Sequence, residues 1–200
     1  MLNPDLQHTV YFSVDDFEKM IDAGVFVGKS GRIELLEGEL YRMSPASWTH
    51  DSLIELLLNW SAEGLIGSSY RLGSQLGFRL FRTESLPEPD LLWVERRRRP
   101  GRPAADVVPL VIEVSLSSLQ HDREYKGRLY ALDGVGEYWV VDGEGQTIEV
   151  YTEPSGERYG SVRMYRRGEV LSPLCLPDAK LDLEWLFAEA EAMAEQEPEV

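Results

Sequence analysis

The sequence is poor in cysteine and has no long apolar run. Its 200 residues include one cysteine, Cys175, so no intramolecular disulfide can form, which is compatible with a reducing compartment. No apolar segment approaches the ~20 residues needed to cross a bilayer, and the N-terminus lacks a basic stretch followed by an apolar one. These absences predict a cytoplasmic protein with no membrane partner.

Basic residues are also scarce. The chain has 20 Lys and Arg against 35 Asp and Glu, a formal charge of −15. Proteins that bind nucleic acid usually carry surplus Lys and Arg to contact phosphates, so this charge argues against such a partner. Much of the excess lies in residues 178–200, which hold eight acids and Lys180. One basic block could contact phosphate or form a solvated loop: Arg96, Arg97, Arg98, Arg99 and Arg102.

The size and 43% hydrophobic content predict one compact domain over residues 1–200. An N-cap signature at Ser13 predicts a helix ending near Gly24, within an N-terminal helical segment, 1–30. Glu37-Gly38 can turn a hairpin, and an amphipathic helix follows from His50 to Gly64. Residues 178–200 form an acidic, helical tail.

The middle of the chain predicts a sheet. Short extended runs are separated by Gly, Pro and charged residues, and they occur at 70–74, 78–81, 90–94, 110–114, 138–141 and 148–151. A helix is expected over 122–133, so the order from 110 to 141 predicts two parallel strands joined by a crossover helix. The fold class is therefore α/β or α+β, with a mixed β-sheet flanked by helices.

Glu113 is the first candidate for a functional residue. It is the one charged residue in the apolar run 109–114, and such a run is typical of a strand covered on both faces. A buried carboxylate needs a cation, hydrogen-bond donors or a cleft, because burial without a partner costs several kcal/mol. The alternative is a surface alternation in which Val111, Glu113 and Ser115 share a wetter face.

Asp90 is the second candidate, because it opens the preceding apolar run after Pro87 and Pro89. If the two strands pair, Asp90 and Glu113 converge on the oxygen-rich kind of site that Mg²⁺ or Mn²⁺ prefers. An Asp after Pro is, by itself, more often a turn or cap residue.

Lys126 and His50 each have two interpretations. Asp122 and Lys126 are four residues apart, which fits a surface ion pair, but the helix directly follows the Glu113 strand and its face can lie against the sheet. His50 lies near the apolar stripe of its own helix, where a core or capping histidine is as reasonable as a functional one.

The order of these features resembles the Uma2 (DUF820) family. The resemblance is carried by Glu34 to Leu40, Met43-Ser44-Pro45, His50, Pro89-Asp90, Val111 to Ser115, Asp122, Lys126, Tyr130 and Gly134 to Trp139. The family is similar to restriction-type endonucleases of the PD-(D/E)xK superfamily. The resemblance implies a restriction-endonuclease-like fold, a divalent cation held by Asp90 and Glu113, a DNA substrate and a homodimer.

The sequence departs from the superfamily pattern at Ser115, where the pattern has lysine. Uma2-like proteins draw this lysine from the next helix, which makes Lys126 the catalytic candidate. The resemblance also implies that Glu37 reaches the site from the hairpin, although a turn residue beside Gly38 is an equally simple role.

These residues lead to one main functional hypothesis and two rivals. The chain is expected to be an endonuclease that hydrolyses DNA with Mg²⁺ or Mn²⁺, using Asp90, Glu113 and Lys126, with Glu37 and His50 as further members of the catalytic pocket. A non-catalytic module that keeps the fold for dimerisation or partner binding is the first rival, and the −15 charge favours it. Acid and base catalysis on a glycoside by Asp90 and Glu113 is the second, but it leaves Lys126 without a role.

Overall fold

The structure is a computed structural model that describes residues 9–28, 31–43, 47–96 and 101–195. Within these ranges the helices are α1 (Val14–Asp22), α2 (Trp48–Gly64), α3 (Gly127–Asp133) and α4 (Leu183–Ala194). A π-helical segment, His121–Lys126, runs directly into α3. The strands are β1 (Ile33–Leu36), β2 (Glu39–Arg42), β3 (Tyr70–Ser74), β4 (Leu91–Glu95), β5 (Leu110–Ser115), β6 (Glu137–Asp142), β7 (Thr147–Ser155), β8 (Arg158–Arg166), β9 (Val170–Leu171) and β10 (Leu181–Asp182).

Strands β3 to β8 form one six-stranded sheet in sequence order. Strands β5 and β6 are parallel, whereas the other neighbours in this sheet are antiparallel. The connection from β5 to β6 contains the π-helical segment and α3, as a parallel pair requires. The predicted mixed sheet with flanking helices is therefore confirmed.

The sheet is covered on both faces, and β5 shows how. Its residues alternate between two apolar cores: Leu110, Ile112 and Val114 contact the core that contains α2 and α4. Val111 points into the second core, which contains α3. Because side chains alternate along a strand, Glu113 and Ser115 lie on the α3 side with Val111. The expectation of a wetter surface face is wrong, since every residue of β5 is buried.

Local signals placed the first elements correctly. The Ser13 hydroxyl accepts a hydrogen bond from the Asp16 amide at 3.1 Å, which caps α1, and Gly24 follows with φ of 73°. Glu37 and Gly38 turn the β1–β2 hairpin with φ values of 50° and 79°. Positive φ at both turn positions is the requirement of a tight hairpin.

One predicted strand is wrong. Residues 78–81 do not join the sheet and make isolated bridges instead, between Arg79 and Ala104 and between Leu80 and Ser85. Phe78 and Leu80 are nevertheless fully buried in the α3-side core. Their apolar character reflects this burial, and it did not require strand pairing.

Two sequence features lie outside the described residues: Ser44-Pro45 and Arg97 to Arg99. Arg102 is described, and its Nε lies 3.3 Å from the Glu18 carboxylate, so it is ion-paired within the protein. Among the described helices, none is long and apolar enough to cross a membrane.

Candidate active site

Asp90 and Glu113 lie side by side on neighbouring strands. Leu91 of β4 pairs with Ile112 of β5 in antiparallel register, so Asp90 and Glu113 form the next position. Glu113 Oε2 accepts a hydrogen bond from the Asp90 amide at 3.3 Å, and Asp90 Oδ2 accepts one from the Val114 amide at 2.9 Å. Both residues are 4% exposed. The strands thus bring together two buried carboxylates that are 23 residues apart in sequence.

Lys126 reaches the same point from the π-helical segment. Its Nζ lies 2.8 Å from Glu113 Oε1, which also accepts a hydrogen bond from the Tyr130 hydroxyl at 2.8 Å. The predicted convergence of Asp90, Glu113 and Lys126 is therefore observed, at the end of two inner strands. The lysine is 1% exposed, so the alternative of a surface pair with Asp122 is wrong.

Matching spacings on strand and helix explain the serine at position 115. Residues two apart on a strand are separated by about 6.6 Å, and residues four apart on a helix rise about 6 Å. Lys126 can therefore contact Glu113 while Asp122 contacts Ser115, whose hydroxyl donates to Asp122 Oδ2 at 2.6 Å. Because the helix supplies the lysine, position 115 is free to hold that helix against β5.

Glu34 is a member of the group that the sequence interpretation missed. Its carboxylate is 1% exposed, lies 3.4 Å from Lys126 Nζ and accepts a hydrogen bond from the Glu88 amide at 2.7 Å. Glu34 is the charged residue in the otherwise apolar strand β1, Ile33–Leu36. This is the same signal that identified Glu113, and it could have identified Glu34.

Glu37 does not join the group. It occupies the hairpin turn, and its carboxylate pairs with Arg128 at 2.5 Å. The turn directs this side chain to α3, whereas Glu34, one strand position earlier in the hairpin, points inward. The expectation that Glu37 reaches the site is corrected in favour of Glu34.

His50 does contact the site. Its Nε2 lies 3.4 Å from Asp90 Oδ2, and its Nδ1 lies 3.5 Å from the Asp51 carboxylate. Burial alone would lower the pKa of His50, but the hydrogen bonds and negative charges of Asp90 and Asp51 raise it above its ordinary value. An imidazole that is more easily protonated is a suitable donor to the Asp90 carboxylate.

Acidic groups outnumber cations in this cluster. Four buried carboxyl groups, those of Glu34, Asp90, Glu113 and Asp122, face the buried Lys126. Burial, opposed by Lys126 and reinforced by the other three carboxylates, raises the pKa of Glu113 to about 8. Burial would lower the pKa of Lys126, yet Glu113, Glu34 and Asp122 raise it. The cluster therefore favours additional positive charge.

A divalent cation fits this excess. In the described part of the chain, no group of three or more His, Cys, Asp or Glu side chains is arranged to hold a metal ion. Mg²⁺ does not need such a cage, because it is commonly bound by one or two carboxylates, with waters and substrate phosphates completing the octahedron. Asp90 and Glu113 supply two adjacent carboxylates, and the donor chemistry is that of a magnesium or manganese site.

The group opens onto a pocket of about 800 Å³, which is also lined by Arg32, Tyr41 and His121. A cleft of this size beside buried, charge-coupled residues is the usual setting of an active site.

The fold and this buried group place the protein in the class of mixed α+β proteins that resemble restriction endonucleases. The Uma2 family, described as "Putative restriction endonuclease", matches residues 14–184, and the chain belongs to this family. A crystal structure described as a putative nuclease belonging to DUF820 from Anabaena variabilis is similar, with a TM-score of 0.69 and 16% sequence identity. The match covers 90% of this chain and 99% of that one, and at this identity it establishes the fold. No curated protein matches the sequence.

Proposed function

We propose that this protein is a divalent-metal-dependent endonuclease that hydrolyses DNA phosphodiester bonds. The observation that carries the proposal is the buried contact between Asp90, Glu113 and Lys126, which opens onto the 800 Å³ pocket. Membership of a family described as restriction endonucleases supports the same reaction class.

Asp90 and Glu113 are the residues that would hold Mg²⁺ or Mn²⁺. When bound, such an ion polarises the phosphate and lowers the pKa of a coordinated water. Lys126 keeps the Glu113 carboxylate in place through the 2.8 Å contact and adds positive charge beside the reacting phosphate. Glu34 holds Lys126, and His50 holds Asp90 through the 3.4 Å contact with Oδ2.

Removing Asp90 tests the proposal. The wild type is expected to bind Mn²⁺ in a calorimetric titration and to nick plasmid DNA in Mg²⁺. Asp90→Ala should weaken Mn²⁺ binding at least ~10-fold and stop nicking, because a ligand carboxylate is lost. The control is Asp178→Ala, which removes an exposed acid outside the pocket and should change neither property.

The outcomes separate the proposal from its main rival. A wild type that binds no Mn²⁺, or an Asp90→Ala variant that binds it equally well, would remove the metal site. Metal binding without any plasmid cleavage would favour the non-catalytic module, which the charge of −15 also favours.

We also propose that the protein is a homodimer, because its family resemblance implies one and because cutting both strands of a duplex requires two sites. Sedimentation at micromolar concentration is expected to give about twice the 22.7 kDa chain mass. A mass near 22.7 kDa would leave a monomer limited to nicking one strand. The cytoplasmic location stays a prediction.

A further inference from the structure

Arg32 is a second cation in the pocket, and the proposed function gives it no role so far. It immediately precedes β1, where its carbonyl accepts a hydrogen bond from the Met43 amide at 2.9 Å, so the hairpin fixes its backbone. Its side chain is 29% exposed and lines the pocket together with Asp90, Glu113 and Lys126. The guanidinium is therefore held at the site and still open to the pocket.

The guanidinium has unused donors. Its Nη2 lies 3.6 Å from Asp90 Oδ1, which gives Coulomb attraction but is too long for a hydrogen bond. Its Nη1 is buried and has no hydrogen-bond partner among the described residues. Buried donors without partners are rare, and at a functional site they often indicate a missing ligand or ion.

The other cations of the pocket are poorer candidates for an incoming anion. Lys126 is almost fully buried and already contacts both Glu113 and Glu34. Arg42 is exposed at the pocket wall and carries no buried unpaired donor. An anion that enters this acidic pocket therefore finds spare donors chiefly at Arg32.

We propose that Arg32 is the phosphate-binding residue of the pocket and donates hydrogen bonds to non-bridging oxygens of a phosphodiester or terminal phosphate. A guanidinium presents a planar fork of donors that matches two phosphate oxygens, which an ammonium group does not. Since Arg32 lies beside Asp90, the bound phosphate lies beside the carboxylates assigned to the metal. This inference rests on the proposed function and adds a substrate contact to it.

The competing role is purely positional. In that case Arg32 acts only on Asp90, through the 3.6 Å contact, and its removal disturbs the carboxylate without weakening phosphate binding directly. The two roles differ in what happens to metal affinity. A positioning residue supports it, whereas a phosphate-binding cation opposes it through charge repulsion.

Calorimetric binding of thymidine 5′-monophosphate in the presence of Ca²⁺ tests the proposal, with thymidine as the ligand that lacks phosphate. Arg32→Ala should weaken binding of the nucleotide at least ~10-fold, and Arg32→Lys should fall in between, because a charge without the fork remains. Affinity for Ca²⁺ alone should be unchanged or higher. The matched control is Arg128→Ala, whose side chain is 28% exposed and also pairs with a carboxylate, that of Glu37.

Three results would overturn the assignment: no measurable nucleotide binding by the wild type, equal binding by Arg32→Ala, or a parallel loss of Ca²⁺ affinity in that variant. Plasmid cleavage is scored separately. Cleavage by the wild type with unaltered nucleotide binding by Arg32→Ala removes the role of Arg32 alone. Arginine-dependent nucleotide binding without cleavage removes the endonuclease proposal alone.

Discussion

Replacing Glu113 with Gln is expected to reduce metal-dependent DNA cleavage by about 1000-fold while the fold is retained, because the loss of a metal-binding carboxylate removes several kcal/mol of transition-state stabilisation. Gln keeps the shape of the side chain. Its amide oxygen can still accept from Lys126 Nζ and the Tyr130 hydroxyl, which both lie 2.8 Å from Glu113 Oε1.

The stability of this variant in EDTA distinguishes a functional Glu113 from a structural one. Glu113 is near three other carboxylates and one lysine, and burial raises its pKa to about 8. A raised carboxyl pKa means that the protonated form is favoured by folding. That stabilisation is complete below the ordinary pKa of 4.5 and is lost as the pH rises through about 8. Gln is neutral throughout, so the variant should equal or exceed the wild type by up to about 1 kcal/mol near pH 8.

Thermal melts in EDTA from about pH 5 to about pH 9 would measure this difference. Glu157→Gln is the control, because its side chain is 70% exposed and the change should leave the profile unaltered. A Glu113→Gln variant that loses about 3 to 5 kcal/mol in EDTA, and still nicks plasmid in Mg²⁺, would make Glu113 a structural partner of Lys126.

Sequence patterns located Glu113 because an unusual residue stood in a regular context. A lone carboxylate in a buried strand is costly, so its position carries information before the fold is known. The same reasoning applies to Glu34 in β1, but the family resemblance directed attention three residues further, to Glu37. The Glu37 backbone, with φ of 50°, belongs to the turn, and its side chain follows the turn to Arg128.

Other parts of the site depend on tertiary contacts that no local pattern encodes. Arg32 faces Asp90 because the hairpin packs across the end of β4, and the two residues are far apart in sequence. The π-helical form of 121–126 was also not predicted, since the residues are compatible with an ordinary α-helix. π-Helical turns frequently occur at functional sites, and here one carries both Asp122 and Lys126 to β5.

Replacing Lys126 with Met is expected to cause the largest loss of stability, about 3 to 5 kcal/mol in EDTA, because buried carboxylates would lose their cation. Met is close to lysine in length and keeps most of the apolar packing. Lys126 is 1% exposed and contacts Glu113 at 2.8 Å and Glu34 at 3.4 Å, so no solvent can replace its charge without opening the core.

Mn²⁺ should partly reverse this loss. A cation bound at Asp90 and Glu113 adds positive charge beside the carboxylates that Lys126 no longer neutralises, and a ligand that binds only the folded state raises its stability. The rise in melting temperature on adding Mn²⁺ is therefore expected to be larger for Lys126→Met than for the wild type. Lys180→Met, which removes an exposed lysine, should stay within about 0.5 kcal/mol of the wild type in EDTA. Equal stability of Lys126→Met and wild type in EDTA would show that the buried carboxylates are protonated without the lysine. An equal Mn²⁺ effect in both proteins would separate Lys126 from the metal site.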